Sequence, residues 1–393
     1  MKYKFSQKMT ELKPSAIREI FKNLGQPGAI AFSAGNPAPE SFPVEFISEA
    51  SADIFAHDAC SALQYSVTEG YVPLREAVTA RLRDKFSTGG EGDTTLIVSG
   101  GQQGIELTAK VMCDEGDTVI AENPSFIGAL NSFRSLGLKL AGVPLEDDGM
   151  NLNALEDALK TNPRAKLIYT IPTFHNPVGV TTSLEKRRGI YALAKKYGAV
   201  IIEDNPYGEL RFSGEDVPTI KSMDTDGIVV YCGSFSKILS AGMRVGFLSA
   251  PSDIATKIVV AKQVEDVHTN IFFQMIAHRF MTQFDMDAHI EKIRALYRYK
   301  CGLMLDTMAR ELPGDVRWTK PQGGLFLWCT LPDRLDAGKF VADAAAEKVF
   351  VVPGSAFQCD QSLPTKAFRL NYSTPTDDDI VRGIKILGSI ARM

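Results

Sequence analysis

The sequence predicts an α/β fold, built on a mainly parallel sheet that helices cover. Short apolar runs alternate with amphipathic stretches through the middle of the chain. Most of these runs are rich in β-branched residues, and all are too short to be helices. Their apolar character is nearly continuous, which indicates burial on both faces of the sheet. The predicted strands are Thr95–Ser99, Thr118–Glu122, Leu167–Ile171, Ala199–Glu203, Ile228–Cys232 and Gly246–Ala250.

Helical patterns lie between and after these strands. The tetrapeptide Thr182-Ser-Leu-Glu185 has the form of a capping box, which predicts a helix over Lys186–Tyr197. Gly198 follows at the position where a glycine ends a helix. Apolar residues recur at helical spacing from Ile290 to Met308, which predicts one long helix. We interpret the long helix as the connector to a second domain.

Two domains are expected because 393 residues exceed the size at which a single hydrophobic core stops growing. We assign residues 44–289 to a large domain. Residues 290–393 then form a smaller domain. The segment 1–43, which is rich in Pro and Gly after Leu24, is expected to pack back onto that smaller domain.

Composition excludes several classes of function. A formal net charge of −4 gives no basic footprint, so neither nucleic acid nor an anionic membrane is an expected partner. The six cysteines are far apart and include no CxxC pair, as in reduced thiols of a cytosolic protein. No metal-ligand spacing is visible, the first 17 residues lack the apolar stretch of a signal peptide, and no apolar run approaches the roughly 18 residues that span a bilayer. We therefore expect a cytoplasmic protein without a metal site.

Polar or glycine-rich segments follow five of the predicted strands. Each segment alone has an ordinary structural explanation as a turn, a loop or a helix cap, and a lone Lys237 would be a solvated lysine. In an open α/β sheet, however, ligands bind beyond the carboxyl ends of the strands. The ordered convergence of the five segments on one edge of the sheet therefore predicts a ligand-binding site there. The segments are Gly100–Gly104, Asn123–Phe126, Pro172–Gly179, Asp204–Tyr207 and Gly233–Lys237.

The residue types at this edge fit pyridoxal 5′-phosphate (PLP). Its phosphate needs a glycine-rich helix N-terminus, hydroxyls and an arginine. The candidates for that role are Gly100, Gly101, Gln102, Ser234, Ser236 and Arg244. Its pyridine nitrogen needs a fixed carboxylate, for which Asp204 is placed. Asn176 and Tyr207 are candidate donors to the phenolic oxygen, and Lys237 is the candidate amine for the aldehyde.

Several motifs resemble the class I and II aminotransferases of PLP fold type I, and the match covers nearly the whole chain. The motifs concerned are Ser234–Phe247 (SFSKILSAGMRVGF, similar to the family's lysine loop), Asn176–Gly179 (NPVG), Asp204–Tyr207 (DNPY) and Phe368–Asn371 (FRLN). Three N-terminal segments resemble one branch, the 2-aminoadipate and kynurenine aminotransferases with the related effector domains of MocR-type regulators. These segments are Pro14–Ile20, Gly35–Glu40 and Leu63–Tyr65.

The resemblance implies a sheet of the seven-stranded type in the large domain, a small α+β domain, and roles for single residues around the cofactor. Lys237 would carry PLP as a Schiff base and later move a proton. Asp204 would pair with the pyridine nitrogen. Asn176 and Tyr207 would bind the phenolic oxygen, and Phe126 would stack on the ring.

The resemblance also implies substrate contacts and a homodimer with shared active sites. Arg369 would clamp the substrate α-carboxylate, with help from Asn176 and from the backbone at Gly35. Tyr65 would reach the phosphate bound by the partner subunit. Arg18 lies on a segment that can cover the substrate in this branch. It either binds the distal carboxylate of a dicarboxylic substrate or is a solvated residue of an N-terminal helix.

The implied reaction transfers an α-amino group from an amino acid to a 2-oxo acid, with 2-oxoglutarate as the expected acceptor. A PLP-dependent C–S β-lyase is an alternative, because it begins with the same removal of the Cα proton. A non-catalytic PLP-sensing domain of a regulator is a less expected alternative. It requires an N-terminal winged-helix domain, for which the 13 residues before Pro14 leave no room.

Overall fold

The computed structural model describes residues 3–12 and 26–393, and within them three sheets and the helices around them. The strands are β1 (Ile30–Ala31), β2 (Asp93–Val98), β3 (Thr118–Asn123), β4 (Lys139–Glu146), β5 (Gly149–Met150), β6 (Ala165–Thr170), β7 (Val200–Asp204), β8 (Val229–Ser234), β9 (Gly246–Pro251), β10 (Arg317–Trp318), β11 (Phe326–Thr330), β12 (Val349–Phe350), β13 (Val352–Pro353) and β14 (Ala367–Asn371).

The described α-helices surround these sheets. They are α1 (Gln7–Glu11), α2 (Val44–His57), α3 (Ala59–Leu63), α4 (Val72–Phe86), α5 (Gly101–Met112), α6 (Ile127–Ser135), α7 (Leu152–Thr161), α8 (Leu184–Tyr197), α9 (Ser252–Gln263), α10 (Ile271–Thr282), α11 (Met286–Glu311), α12 (Ala337–Ala346) and α13 (Asp377–Ala391). Short 3₁₀ turns cover Pro39–Ser41, Gly208–Leu210, Lys221–Met223, Phe235–Lys237 and Gly354–Phe357.

The largest sheet has the strand order β2-β9-β8-β7-β6-β3-β4-β5. Neighbouring strands from β8 to β4 pair in parallel, and β9 runs antiparallel to both β2 and β8. Seven of these strands have five to eight residues, and the edge strand β5 has two. The predicted α/β fold with a mainly parallel sheet of the seven-stranded type is therefore confirmed.

All six predicted strands are present, with ends within two residues of the predicted ones. The strand β4 was not predicted, for a physical reason. Its sequence KLAGVPLE contains a glycine and a proline, and only Val143 in it is buried. Such a strand near a sheet edge lacks the continuous apolar run of the central strands.

The central strands are buried on both faces because adjacent residues in each strand pack into different cores. Ile202 of β7 packs with α5, α6 and α9 on one face. Its neighbour Ile201 packs with α7 and α8 on the other face. Full burial of such a side chain stabilises the fold by about 1.5–3 kcal/mol. The sheet edge that carries the polar segments is thus held by a rigid core.

The helix predicted over Lys186–Tyr197 is present and begins two residues earlier, at Leu184. Ser183 is the N-cap, and its Oγ accepts a hydrogen bond from the Lys186 backbone N–H at 3.3 Å. Thr182 instead lies buried at the base of a loop, where its backbone N–H donates to Pro172 O. Gly198 ends the helix with φ of +72°, as predicted.

The long helix predicted from residue 290 to 308 is confirmed as α11, which has 26 residues. After it, β10, β11, β14 and β13 form a four-stranded antiparallel sheet. Strand β1 pairs in parallel with β12, so Ile30 lies beside Val349. The boundaries at residues 43 and 290 stay a prediction. Within the described ranges, no helix is both long and apolar enough to cross a bilayer.

Candidate active site

The residues that follow β2, β3, β6, β7 and β8 face one cavity of about 300 Å³. They meet there because these five strands run in the same direction, so their carboxyl ends share one edge of the sheet. Most of the predicted site residues line this cavity. These are Gly35, Gly101, Gln102, Phe126, Asn176, Asp204, Tyr207, Ser234, Ser236, Lys237, Arg244 and Arg369.

Lys237 ends the 3₁₀ turn that directly follows β8. Ser234 shapes this turn, because its Oγ accepts a hydrogen bond from the Ser236 backbone N–H at 3.1 Å. The Lys237 Nζ donates to Gly35 O at 2.7 Å. Desolvation of the amine, and then the positive charges of Arg369 and Arg244, lower the pKa of Lys237 to about 8. A substantial fraction of the amine is therefore neutral near pH 8, and the neutral form is the nucleophile.

Asp204 is the last residue of β7 and is 5% exposed. The Tyr169 hydroxyl donates a hydrogen bond to its Oδ2 at 2.7 Å. Burial raises the pKa of Asp204 to about 7, although the Tyr169 hydrogen bond acts in the opposite direction. Among residues 3–12 and 26–393, no lysine or arginine forms an ion pair with this carboxylate. A cation placed beside it would favour its ionised form.

The turn between β2 and α5 is built for close approach of the backbone. Gly100 has φ of +80°, and a Cβ there would collide with the Arg244 guanidinium. A Cβ at Gly246 would lie 2.7 Å from the backbone of Gly100 and Gly101. The first N–H groups of α5 have no partner within the helix, which makes this end an anion site. The Gln102 side chain instead donates to Gly128 O and to Ser132 on α6, so Gln102 offers its backbone N–H.

Arg369 projects from β14 into the cavity and is 2% exposed. Its Nη1 donates to Asn176 Oδ1 at 2.9 Å, and its Nη2 donates to Ser33 O at 2.8 Å. The guanidinium lies 4.2 Å from the centre of the Phe326 ring. Its Nε has no hydrogen-bond partner in the described structure. Burial lowers the pKa of Arg369 to about 10, which leaves the side chain cationic at neutral pH.

Asn176 connects this arginine to Tyr207. Its Nδ2 lies 3.5 Å from the Tyr207 hydroxyl, and both side chains are buried. Burial and the nearby Asp204 raise the pKa of Tyr207, so its hydroxyl stays protonated and able to donate. The edge-on packing of the Tyr207 ring against Phe326 fixes its position. Two donors thus face the cavity between Asp204 and Arg369.

The residues present fit PLP, because each chemical need of the cofactor is matched by a group that faces the cavity. A protonated ring nitrogen would supply the cation that Asp204 lacks among the described residues. The Lys237 amine, with its lowered pKa, suits an aldehyde. The free N–H groups of α5 and the Arg244 side chain suit a phosphate dianion.

Two predicted residues do not line the cavity, and a third is not among the described residues. Gly100 forms the turn but does not line the cavity. Tyr65 lies on the surface with 80% exposure, and its ring packs edge-on against His268 with ring centres 5.9 Å apart. Arg18 lies outside the described residues.

Sequence reasoning missed several residues that build the site. Tyr169 sits within a predicted strand, where an aromatic residue indicates core packing and not a contact to a carboxylate. Phe326 lies far along the chain in another sheet, and no motif marks it. The missed residues are Asn36, Ile105, Tyr169, Ile171, Pro206 and Phe326.

Comparison with known proteins covers nearly the whole chain. A family model described as aminotransferase class I and II matches residues 27–387. The aromatic-amino-acid aminotransferase 1 of Thermococcus litoralis is 39% identical over 387 residues, which are 98% of this chain and 93% of that protein. The 2-aminoadipate transaminase of Thermus thermophilus is 38% identical over 387 residues, which are 98% of this chain and 95% of that protein.

A similar fold is found among solved structures. The kynurenine aminotransferase of Pyrococcus horikoshii, in a complex with PMP, kynurenine as substrate and KYA as product, has a TM-score of 0.95 at 37% identity. The similarity covers 99% of this chain and 96% of that chain.

Proposed function

Since this chain belongs to the class I and II aminotransferase family, we propose which of its residues transfer the amino group and which substrates they receive. The chain is a PLP-dependent aminotransferase of fold type I, as its motifs predicted. It moves an amino group between an amino acid and a 2-oxo acid. Because the named relatives are aminotransferases, the β-lyase and regulator alternatives are not favoured.

Lys237 would hold the cofactor at its aldehyde, and Asp204 would hold it at its ring nitrogen. Bound PLP supplies an aldehyde that condenses with amines and a protonated ring that withdraws electrons. Lys237 provides the amine for the aldehyde, and Asp204 keeps the ring nitrogen protonated. The single observation that carries this proposal is the pair of perturbed groups in one cavity, an amine with a lowered pKa and a carboxylate with a raised pKa.

The remaining cofactor contacts follow from the lining of the cavity. Gly101, Ser234, Ser236 and Arg244 line the cavity and would bind the phosphate, together with the turn that Gly100 forms. Asn176 and Tyr207 donate to the phenolic oxygen, and Phe126 lies against the ring. Gln102 contributes through its backbone, because its side chain is bonded to α6.

Arg369 orients the amino acid by its α-carboxylate. Asn176 and Ser33 fix the plane of the guanidinium, while Nε has no partner in the described structure. A planar guanidinium fork binds a carboxylate through two hydrogen bonds, which lysine cannot reproduce. The backbone at Gly35 lies close by, since its carbonyl accepts from Lys237. In the proposed arrangement, the Cα of the amino acid would lie near the Lys237 amine.

Lys237 also moves the proton of the reaction. A base that works near neutral pH needs a pKa near the working pH. With a pKa of about 8, the Nζ of Lys237 can take the proton from the substrate Cα as a neutral amine and hold it as an ammonium ion.

The expected acceptor is 2-oxoglutarate, and the expected donors are aromatic amino acids and 2-aminoadipate. The names of two relatives specify aromatic amino acids and 2-aminoadipate. The walls of the cavity support an aromatic donor, because Phe126, Tyr207 and Phe326 line it. Binding of the distal carboxylate of a dicarboxylic substrate by Arg18 stays a prediction, since Arg18 lies outside the described residues.

We further propose a homodimer in which Tyr65 reaches the phosphate of the partner subunit. Large apolar side chains are exposed on both sides of the contact between Tyr65 and His268. Leu63 is 74% exposed, Val264 is 80% exposed and Tyr65 itself is 80% exposed. An exposed apolar patch of this kind indicates an interface, and a second copy of the chain is the proposed occupant. We also propose the division of the chain into two domains, with residues 44–289 as the large domain.

Product analysis tests the proposed reaction. The enzyme is incubated with 2-oxoglutarate and each amino acid of a panel, and glutamate, pyruvate and ammonia are measured. Formation of glutamate in equal amount to the new 2-oxo acid is expected for aromatic donors and 2-aminoadipate. Release of pyruvate and ammonia without glutamate would contradict the proposal and favour the lyase.

A further inference from the structure

A polar cluster lies beside the turn that precedes α5, and no role described above uses it. We call it the anchor cluster. Its members come from the turn, from the first turn of α5, from the last turn of α9 and from the segment after α9, and they are Ser99, Gln103, Lys262, Asp266 and Thr269. Gly101 and Gln102 line the cofactor cavity, whereas the next side chain, Gln103, points into the anchor cluster. The cluster therefore adjoins the phosphate turn without lining the cavity.

Asp266 is the centre of the anchor cluster. Its Oδ2 accepts hydrogen bonds from Ser99 Oγ and from Gln103 Nε2, both at 2.8 Å. The Gln103 Oε1 in turn accepts from the Ser99 backbone N–H at 2.7 Å and from Lys262 Nζ at 2.9 Å. Ser99 is thus held at its backbone and at its side chain.

Lys262 makes the cluster rigid. Its side chain is fully buried, and its Nζ donates to both oxygens of Asp266 and to Thr269 Oγ1, at 2.8 to 3.0 Å. A buried ammonium ion is tolerated only where hydrogen bonds and a counter-charge replace its water. The cluster is also joined to α10, because Gln274 Nε2 donates to Thr269 O at 2.6 Å.

The phosphate turn depends on such outside support. Gly100 is the N-cap of α5 and has no side chain with which to cap the helix. Glycine is also the most flexible backbone residue, so neighbouring residues contribute to holding the conformation of the turn. Ser99, directly before it, accepts a hydrogen bond from Arg244 Nη2 through its carbonyl oxygen at 3.4 Å. Ser99 therefore contacts both the turn and the Arg244 side chain, which also donates to Ala241 O at 3.2 Å.

We propose that Asp266 is a positioning residue for the cofactor phosphate, and that it acts through Ser99 and Gln103 on the turn at residues 99–101. This inference rests on the proposed function, because it needs the phosphate to bind at that turn. Asp266 does not line the cavity, so it would not touch the phosphate directly. The proposal predicts that substitution of Asp266 weakens the contacts to the phosphate and leaves the contacts to the rest of the cofactor unchanged.

The test compares PLP with pyridoxal, which lacks the phosphate. Dissociation constants of both are measured by equilibrium titration of the full-length protein after removal of its cofactor, for the wild type, Asp266→Ala, Asp266→Asn and Ser99→Ala. For Asp266→Ala the PLP constant is expected to rise at least about tenfold, equivalent to about 1.4 kcal/mol, with the pyridoxal constant changed less than about twofold. Asp315→Asn, which removes a surface ion pair with Arg334, is the control and should change neither constant.

Charge and position have opposite effects in this test. A carboxylate repels a phosphate, so an effect of charge alone would tighten PLP binding in Asp266→Asn. Weaker PLP binding in that variant supports positioning. Ser99→Ala changes no charge and removes one hydroxyl, so it should also weaken PLP binding even if the Asp266 variants do not fold.

An unchanged ratio of the PLP and pyridoxal constants in all folded variants would overturn the proposal, whether neither ligand loses affinity or both lose it equally. If the wild type itself binds pyridoxal as tightly as PLP, the phosphate site of the proposed function is wrong instead. The two failures are therefore distinguishable.

Discussion

The Tyr169 hydroxyl donates a hydrogen bond to Asp204 Oδ2 across 2.7 Å, and both residues are buried. The two residues lie on neighbouring parallel strands, β6 and β7. Burial raises the pKa of Asp204 to about 7, whereas the donated hydrogen bond favours the ionised carboxylate. The sheet thus holds the carboxylate in a state that is poised to ionise when a cation binds beside it.

Substitution Tyr169→Phe is expected to weaken PLP binding in a pH-dependent way. Without the hydroxyl, the pKa of Asp204 in the cofactor-free protein rises further above its ordinary value. The ionised fraction then falls at neutral pH and recovers as the pH rises. A hydrogen bond to a charged group contributes about 1.5–3 kcal/mol, so a loss of affinity of about tenfold or more is expected at pH 7.

The measurement is the dissociation constant of PLP from pH 6 to pH 9. Tyr231→Phe is the matched control, because Tyr231 is also a buried tyrosine and lies on the next strand. Its hydroxyl accepts a hydrogen bond from Asn205 and makes none with Asp204. Asp204→Asn gives the limit of the effect and should retain no pH dependence of this origin. A pH-independent loss in Tyr169→Phe would show that Tyr169 acts through packing alone.

The lowered pKa of Lys237 predicts how fast the protein captures PLP at different pH values. The neutral amine reacts with the aldehyde, and its fraction rises about tenfold per pH unit below the pKa. The rate of covalent capture should therefore rise up to about pH 8 and then level off. Stopped-flow absorbance of the cofactor-free protein mixed with PLP measures this rate. A rate that still rises between pH 9 and pH 10 would indicate an ordinary lysine.

Arg369 is expected to be needed for every amino acid donor, because it binds the α-carboxylate that all donors share. Arg369→Lys keeps a positive charge but loses the planar fork. We expect kcat/KM to fall at least about a hundredfold for aromatic and acidic donors alike, equivalent to about 2.7 kcal/mol. Half-reactions followed at the cofactor absorbance band give the values, and circular dichroism checks the fold. A loss confined to one class of donor would mean that Arg369 reads the side chain.

Tyr65 is expected to serve the active site of the partner subunit. Tyr65→Phe should weaken PLP binding, and Lys237→Ala should abolish turnover. In a dimer of one Tyr65→Phe chain and one Lys237→Ala chain, one site would then carry both lesions and the other neither. Mixing the two variants should therefore restore sites with wild-type PLP affinity. Mixed dimers without such sites, or an active monomer in sedimentation, would exclude the shared site.

The sequence predicts the central strands and the cavity well because both depend on local patterns. Short β-branched runs such as that of β7 predict buried strands. The carboxyl ends of these strands bring Asp204 and Lys237 to one edge of the sheet. Contacts made by tertiary packing have no such local pattern. Nothing in the sequence pairs Tyr169 with Asp204, and Phe326 reaches the cavity from a sheet whose strands begin far along the chain. The anchor cluster was not predicted from the sequence for the same reason, since only the fold brings Ser99 and Asp266 together.

The identity of the lysine that carries the cofactor is the central claim, and borohydride reduction tests it most directly. Reduction fixes PLP covalently on the amine that holds it, and peptide mass spectrometry then locates the modified residue. We predict one phosphopyridoxyl group per chain on the peptide that contains Lys237. The Lys237→Ala protein should carry no label and have no turnover while keeping its fold. A label on another lysine, or normal transamination by Lys237→Ala, would contradict the account.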